Sequence, residues 1–140
     1  MKNRKILYVS SEVVPYLPES EISSMSFEIP KMVNKQGGQI RIFMPRYGNI
    51  NERRHQLHEV IRLSGLNLVI NDLDMPLIIK VASIPKERIQ VYFIDNEEYF
   101  KRKATFTDSN GKLFEDNDER AIFFAKGVFE TIKRLSLIHI

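Results

Sequence analysis

The chain has 140 residues, 43% of them hydrophobic and 28% charged, with 6 Gly and 6 Pro; that balance fits one soluble globular domain with a single core and excludes a disordered tail, a collagen or a disulfide scaffold. Cysteine is absent, which removes disulfides, zinc knuckles and thiol nucleophiles together and fits a reducing compartment. The formal charge of +3 is too small to imply a nucleic-acid partner, and no apolar run approaches the roughly 18–20 residues of a membrane span. The basic start Met1-Lys2-Asn3-Arg4-Lys5 leads into an apolar stretch too short for a secretory signal, as at the start of a cytoplasmic protein.

Lys5 to Ser10, Lys-Ile-Leu-Tyr-Val-Ser, is a continuous apolar run that predicts a strand covered on both faces, as in a parallel sheet flanked by helices. A helix is expected from Ile22 to Gln36. Its apolar positions Ile22, Met25, Ile29, Met32 and Val33 share one face, which should be buried on the sheet. Pro30 predicts a kink or short break near Ile29, and Gly37-Gly38 supplies the left-handed residue that ends a helix. Gln39 to Met44 is the next strand, closed by Pro45-Arg46-Tyr47-Gly48. Strand, helix and strand make a right-handed βαβ unit, whose ligand crevice lies beyond the carboxyl ends of the strands, at Ser10–Glu12 and Pro45–Gly48.

Between Leu57 and Asp95 the pattern shifts to short strands, Leu57–Leu63, Leu66–Ile70, Met75–Ile84 and Ile89–Ile94, with turns at Asn71-Asp72 and Pro85-Lys86. No helical stretch separates them, so mostly antiparallel hairpins are expected through Ile84 before the chain rejoins the main sheet. A last helix should open at Asp116, capped by its carboxylate with Glu119 three residues on. Its buried face is expected to carry Ala121, Phe124, Ala125, Val128, Ile132 and Leu135. Residues 135–140, Leu-Ser-Leu-Ile-His-Ile, spell one reading frame of a transposon-end adapter used in sequencing libraries. The natural protein is therefore expected to depart from this sequence after Arg134 and to continue.

The chemistry legible from residue types alone is sparse. Pro18-Glu19-Ser20-Glu21 sits where a phosphate-binding turn would, yet it has no glycine, no lysine and two carboxylates, so it should repel a phosphate. His55 and His58 stand beside Arg53-Arg54 and Glu59 without a supporting ligand pair, which describes a solvated segment better than a metal site. Lys101-Arg102-Lys103 can face the acidic run Glu115–Glu119 in mutual neutralisation. Tyr99, Phe100 and Phe106 interleave with the basic residues as base-stacking aromatics do, although packing explains them more simply. Neither a Ser-His-Asp spacing nor a Walker loop is present.

Three stretches nevertheless stand together in order and spacing: Lys5-Ile6-Leu7-Tyr8-Val9-Ser10-Ser11-Glu12-Val13-Val14-Pro15, then Ile29-Pro30-Lys31, then Gly37 through Ile40-Arg41-Ile42 to Met44-Pro45-Arg46-Tyr47-Gly48. They resemble the N-terminal catalytic domain of bacterial glycogen synthases and plant starch synthases. Val91-Tyr92-Phe93-Ile94-Asp95, Tyr99-Phe100, Arg102, Asp116-Asn117, Arg120 and Phe123-Phe124 extend the likeness, so that residues 1–134 read as an incomplete domain of this kind. The resemblance implies an α/β fold, the Rossmann-like N-terminal half of a two-domain GT-B glycosyltransferase with a hairpin-rich insertion. It also implies a cytoplasmic retaining enzyme that moves glucose from ADP-glucose to an α-1,4-glucan, with no metal, no other cofactor, no nucleic acid and no membrane. Glu12, Asp116 and Asn117 match the family's substrate-binding positions, and the first two are expected to border one cleft; no residue of this stretch is assigned a catalytic role. The family's phosphate-holding Lys-Thr-Gly-Gly falls on Pro18–Glu21 and a nearby aspartate on Ser24. With that loop changed and the second domain missing, the fragment is expected to be inactive alone, and the alternative is a non-catalytic glucan-binding or regulatory relative. An RNA-binding domain is the weakest of the readings.

Overall fold

The computed structural model describes residues 4–138; residues 139–140 of the expected adapter-derived tail, and the side chains of 136–138, lie outside the described residues. The elements run β1 (Lys5–Val9), α1 (Glu21–Lys35), β2 (Gln39–Pro45), β3 (His58–Glu59), a 3₁₀ turn (Ile61–Leu63), β4 (Asn67–Ile70), β5 (Leu73–Pro76), β6 (Ile78–Ser83), β7 (Gln90–Asp95), α2 (Glu97–Phe100) and α3 (Asn117–Ile138). Five strands form one sheet in the order β1-β2-β7-β6-β3, and β4-β5 form a second. The architecture is the expected mixed α/β fold. Two compact units divide the chain: Met1–Met44 with Ile50–His58 and Val81–Phe93, and Pro45–Asn49 with Glu59–Lys80 and Ile94–Ile140.

In the first unit β1 and β2 pair in parallel from Lys5↔Gln39 to Val9↔Phe43, with α1 as the crossover. Gly37 takes φ 89°, which a residue with a Cβ rarely adopts. There the Gly37 N–H reaches the Asn34 carbonyl (3.1 Å) and the Gly38 N–H the Val33 carbonyl (3.0 Å), so the last turn's carbonyls are satisfied as the two glycines predict. Phe43 stacks on Tyr92 at 5.1 Å and Tyr16 meets Phe93 edge-on at 4.9 Å. These rings anchor the unit's core.

Helix α1 departs from expectation in the face it buries. Ile22, Met25, Ile29 and Met32 are 54, 56, 37 and 58% exposed, whereas Ser23, Ser26 and Pro30 are buried. On the buried side the hydroxyls of Ser26 and Ser10 bond to each other (2.8 Å), so a narrow stripe of small residues, not the apolar one, faces the strand end. Pro30 does not interrupt the helix. Strand β1, expected to be covered on both faces, lies at the sheet's edge with Leu7 44% and Val9 48% exposed.

In the second unit β4 and β5 form the expected antiparallel hairpin, with Asn71 and Asp72 both at positive φ (50° and 64°), the backbone that a two-residue turn requires. The rest of the 57–84 stretch is less hairpin-like than expected, since it contains only the two-residue β3, the 3₁₀ turn and β6, which joins the main sheet. Helix α3 buries Arg120, Phe123, Gly127, Val128, Thr131 and Leu135, while Ala121 and Ala125 are exposed. The expected stripe is thus rotated, and Gly127 explains the rotation. A Cβ at that position would lie 2.6 Å from Ile94 Cγ2 and 3.1 Å from Leu77 Cδ1, so the glycine side of the helix is the one that approaches β7.

Asp95, 1% exposed, receives Arg46 Nη2 and Lys80 Nζ at 3.0 Å each, joining β7 to β6 and to the residue that follows β2. Removing one partner of a buried pair leaves an uncompensated charge, which costs about 3–5 kcal/mol. Asp95→Ala is therefore expected to lower the unfolding free energy by roughly that amount in urea titration monitored by circular dichroism, and a loss below about 1 kcal/mol would assign the triad no structural weight.

Candidate functional site

The carboxyl end of β1 leads into a web of serines within the first unit. Ser10 Oγ accepts from the Glu12 N–H (3.3 Å) and donates to the Glu12 carbonyl (2.9 Å). Ser20 is the N-cap of α1. Its Oγ accepts from the Ser23 N–H (3.1 Å), and Ser23 Oγ accepts from the Ser20 N–H (2.7 Å), a reciprocal cap. The Ser20 hydroxyl also lies 3.2 Å from Glu12 Oε2, to which it donates. Glu12 is half-buried and Glu19 exposed. At the helix end where a phosphate would seek N–H donors, the Ser23 donor is already taken by Ser20.

The second unit gathers a denser cluster. Arg102 donates through Nη1 and Nη2 to both oxygens of Asp116, at 2.6 Å each. That fork holds the Asp116 carboxyl below its ordinary value, and the Asp116 carboxylate in turn raises Arg102. It also corrects the expected cap: α3 begins at Asn117, the Asp116 oxygens serve Arg102, and the Glu119 N–H donates to Asp118 Oδ1 instead (2.8 Å). Of the basic triplet only Arg102 is drawn in; Lys101 and Lys103 stay exposed.

Arg120 is the residue whose weight the sequence least suggests. It is 4% exposed, and its donors go to the carbonyls of Tyr99 (2.8 Å) and Thr105 (2.7 Å) and to Asn117 Oδ1 (2.8 Å). The rings of Phe114, Phe100 and Tyr47 lie 5.1, 5.3 and 5.8 Å from its guanidinium carbon. Burial and the Arg102 charge lower its pKa. Asn117, held by Arg120, donates to the Phe106 carbonyl (3.0 Å). The loop 101–116 is thus fastened at Thr105, Phe106 and Asp116. A buried cation solvated by carbonyls and ring faces has no short-range sequence signature beyond an arginine in an aromatic neighbourhood.

Tyr47 and Gly48 position this cluster. Tyr47 meets Phe106 at 5.5 Å and Phe100 at 6.0 Å. A Cβ on Gly48 would sit 1.8 Å from the Arg102 carbonyl oxygen and 2.5 Å from its nitrogen, so only glycine lets the Pro45–Asn49 loop pass Arg102. Tyr99 and Phe100 are buried core residues, 3% and 1% exposed, which removes them from any stacking surface. Burial and the neighbouring Glu119 push the Tyr99 hydroxyl up to about 12. In the first unit His55 packs edge-on against Tyr16 at 5.0 Å, and burial lowers its pKa. No group of three or more metal-ligating side chains occurs among the described residues.

Glu12 therefore stands in the first unit, Asp116 and Asn117 in the second. The parallel β1–α1–β2 start and the loops that follow it are those of an α/β domain, and residues 5–140 match the family model of the starch synthase catalytic domain. The chain belongs to that family. The glycogen synthase of Chlorobium limicola is 43% identical over 135 residues, 96% of this chain and 28% of that protein, and the glycogen synthase of Chlorobaculum tepidum is 42% identical over the same shares. The chain thus spans little more than a quarter of the length of these relatives. Among solved structures, the catalytic domain of starch synthase IV from Arabidopsis thaliana, bound to ADP and acarbose, superposes with a TM-score of 0.78 at 14% identity, over 97% of this chain and 26% of that one. The GT-B-type fold is shared. Among the described residues no helix is long and apolar enough to cross a membrane.

Two outcomes follow from the second-unit cluster. Gly48→Ala forces backbone to move and is expected to cost at least about 3 kcal/mol, read in the same urea titration; a loss under about 1 kcal/mol would mean that the loop shifts freely. Because the folded pKa of Asp116 is depressed, its fork with Arg102 contributes stability above the unfolded carboxylate range and loses it as pH falls through the folded pKa. Wild type should therefore lose more stability than Asp116→Asn between pH 7 and the acid end of the carboxylate range, and parallel stability–pH curves for the two proteins would contradict the pairing.

Proposed function

We propose that this chain is the N-terminal portion of a retaining glucosyltransferase of the glycogen/starch synthase type, with residues 1–134 belonging to its first Rossmann-like domain. The full-length protein transfers glucose from ADP-glucose to an α-1,4-glucan in the cytoplasm. The observation that carries this reading is the match over residues 5–140, supported by glycogen synthase relatives at 43% identity. Glu12, Asp116 and Asn117 are the proposed substrate-binding residues. Asp116 and Asn117 are held by Arg102 and Arg120, so their polar atoms are pre-positioned.

A second reading, a non-catalytic glucan-binding or regulatory relative, is favoured by one feature. The loop before α1 offers a diphosphate the carboxylates of Glu19 and Glu21, and its Ser20 hydroxyl is engaged with Glu12 and the Ser23 N–H. A screened surface charge pair is worth on the order of 1 kcal/mol.

The deciding assay is transfer of labelled glucose from ADP-glucose to glycogen by a chimera in which residues 5–134 replace the matched stretch of the Chlorobium limicola enzyme. Transfer supports the enzyme; retained glycogen binding without transfer selects the second reading. For the loop itself, calorimetric titration of the chain with ADP should give binding weaker than about millimolar. Pro18→Lys, Glu19→Thr, Ser20→Gly and Glu21→Gly combined in the chimera should tighten ADP binding by about tenfold or more. Unchanged affinity would remove the loop from the nucleotide site.

A further inference from the structure

We propose that the amino-terminal end of the first unit's strands is a docking surface for an acidic polypeptide segment, held by Arg4, Lys5, Lys35, Lys86 and Arg88. The topology gathers these cations. Lys5 pairs with Gln39 at the start of β2, and the Gln39 N–H donates to the Arg4 carbonyl (2.7 Å). Lys35 ends α1 a few residues before β2 begins. Strand β7 lies beside β2, and the Arg46 N–H on the Ile94 carbonyl (2.9 Å) brings the far ends of the two strands together, so both start at this end. Lys86 and Arg88 stand in the loop that leads into β7, closed by the Ile84 N–H on the Ile89 carbonyl (2.9 Å). That loop is tied to the last turns of α1, because Asn34 Nδ2 donates to the Glu87 carbonyl (2.9 Å) and Lys31 Nζ lies 3.9 Å from Glu87 Oε1.

All of these cations are exposed, and none takes part in a salt bridge among the described residues. The carboxylate in their midst, Glu87, is already engaged by Lys31, and Glu28 stands about two turns back along α1. Glu12, Glu19 and Glu21 gather instead beyond the carboxyl end of β1. Like charges held close repel one another and destabilise the fold that gathers them. The dipole of α1 balances a cation in its last turn, Lys35, and fades beyond it, which leaves Arg4, Lys5, Lys86 and Arg88 uncompensated. Lys86 and Arg88 also take φ 70° and 54°, a backbone that favours glycine, yet both positions carry a long cationic side chain. An acidic polypeptide fits better than a nucleic acid because the exposed phenylalanine rings among the described residues, Phe106 and Phe129, both belong to the second unit, and cations without a stacking ring offer bases no platform. Two strand spacings and one helix width make a surface about 20 Å long, the reach of roughly six extended residues.

The contact is read by fluorescence anisotropy of a labelled poly-glutamate peptide of about ten residues, titrated with the 140-residue chain and with the chimera carrying residues 5–134 within the Chlorobium limicola enzyme. Both should bind the peptide at low salt, and binding should weaken at least about tenfold on going to physiological ionic strength. Lys86→Glu with Arg88→Glu should weaken it at least about tenfold. Lys86→Gly with Arg88→Gly removes the two charges in a backbone that glycine favours, so it should keep the circular dichroism of the parent and lose affinity as well; this pair decides the matter where charge reversal disturbs folding. Lys103→Glu with Lys112→Glu makes the same change of net charge at exposed positions of the second unit and should move the affinity less than about threefold. Equal weakening by the first-unit and second-unit reversals overturns the proposal, because net charge alone then attracts the peptide. Absence of binding at low salt, in the chain or in the chimera, overturns it too. A duplex oligonucleotide of equal charge that binds at least about tenfold tighter than the peptide, through the same residues, overturns it in favour of nucleic acid. No nucleotide sugar or glucan is present in these titrations, so failure of the catalytic reading leaves this surface standing.

Discussion

A carboxylate with almost no access to water organises the second unit. Asp95 ends β7 and is charge-balanced by Arg46, just past β2, and by Lys80 on β6. An isolated buried carboxylate is too costly to keep ionised, so the two cations must hold their places, and with them the chain segments that carry them. Arg46 is held further by its own N–H on the Ile94 carbonyl (2.9 Å). Fixing Arg46 fixes its neighbours Tyr47 and Gly48, the first against Phe100 and Phe106, the second against the Arg102 backbone. Arg102 then forks onto Asp116 while Arg120, beneath the same rings, grips Asn117. The proposed substrate residues of this unit are thus the outer end of a chain of contacts that begins at a strand terminus.

Much of this framework was legible because it is local. The strand–helix–strand start, the paired glycines after α1 and the Asn71-Asp72 turn each follow from backbone chemistry within a few residues, and the structure keeps all three. What the sequence left ambiguous is which side of an element the fold uses. Periodicity showed that Ile22, Met25, Ile29 and Met32 share a face of α1, but it says nothing about whether the covering surface lies within these residues. The serines on the opposite side lack hydrophobic signal, yet Ser10 and Ser26 meet there through their hydroxyls. Helix α3 shows the same limit in a milder form. Periodicity predicts a stripe of alanines and large apolar residues as the contact, whereas Gly127 admits the close approach to Ile94 and Leu77, and a glycine carries no weight in a hydrophobic pattern.

The site was legible in its residue types and illegible in its pairing. Asp116 has the position and chemistry of a helix cap, and nothing within four residues argues otherwise. The competing partner, Arg102, is fourteen residues away and is brought back by a loop whose course depends on Gly48 and Arg120. Two parallel bonds in which donor and acceptor are both ionised outweigh the single bond that a backbone N–H could give the same carboxylate, so the long-range partner wins the carboxylate. The same comparison separates Arg102 from Lys101 and Lys103, because only a guanidinium presents two parallel donors to one carboxylate.

In the loop before α1, charge and hydrogen bonding act in the same direction, and their relative weight matters. The carboxylates of Glu19 and Glu21 are screened by water and salt, so their effect on an approaching diphosphate fades with ionic strength. Occupation of the helix's donors is insensitive to salt: Ser20 holds the Ser23 N–H and turns its own hydroxyl to Glu12, and an anion entering there must displace bonds already made. A lysine and bare glycine amides would reverse both effects, one by attraction and the other by leaving donors open. Weak nucleotide binding that salt barely alters points to the serine cap, while binding that strengthens as salt screens the carboxylates points to charge. For a phosphate ligand held by a lysine the salt dependence has the opposite sign, which makes ionic strength the variable that separates a loop that has changed its ligand from one that has only lost affinity.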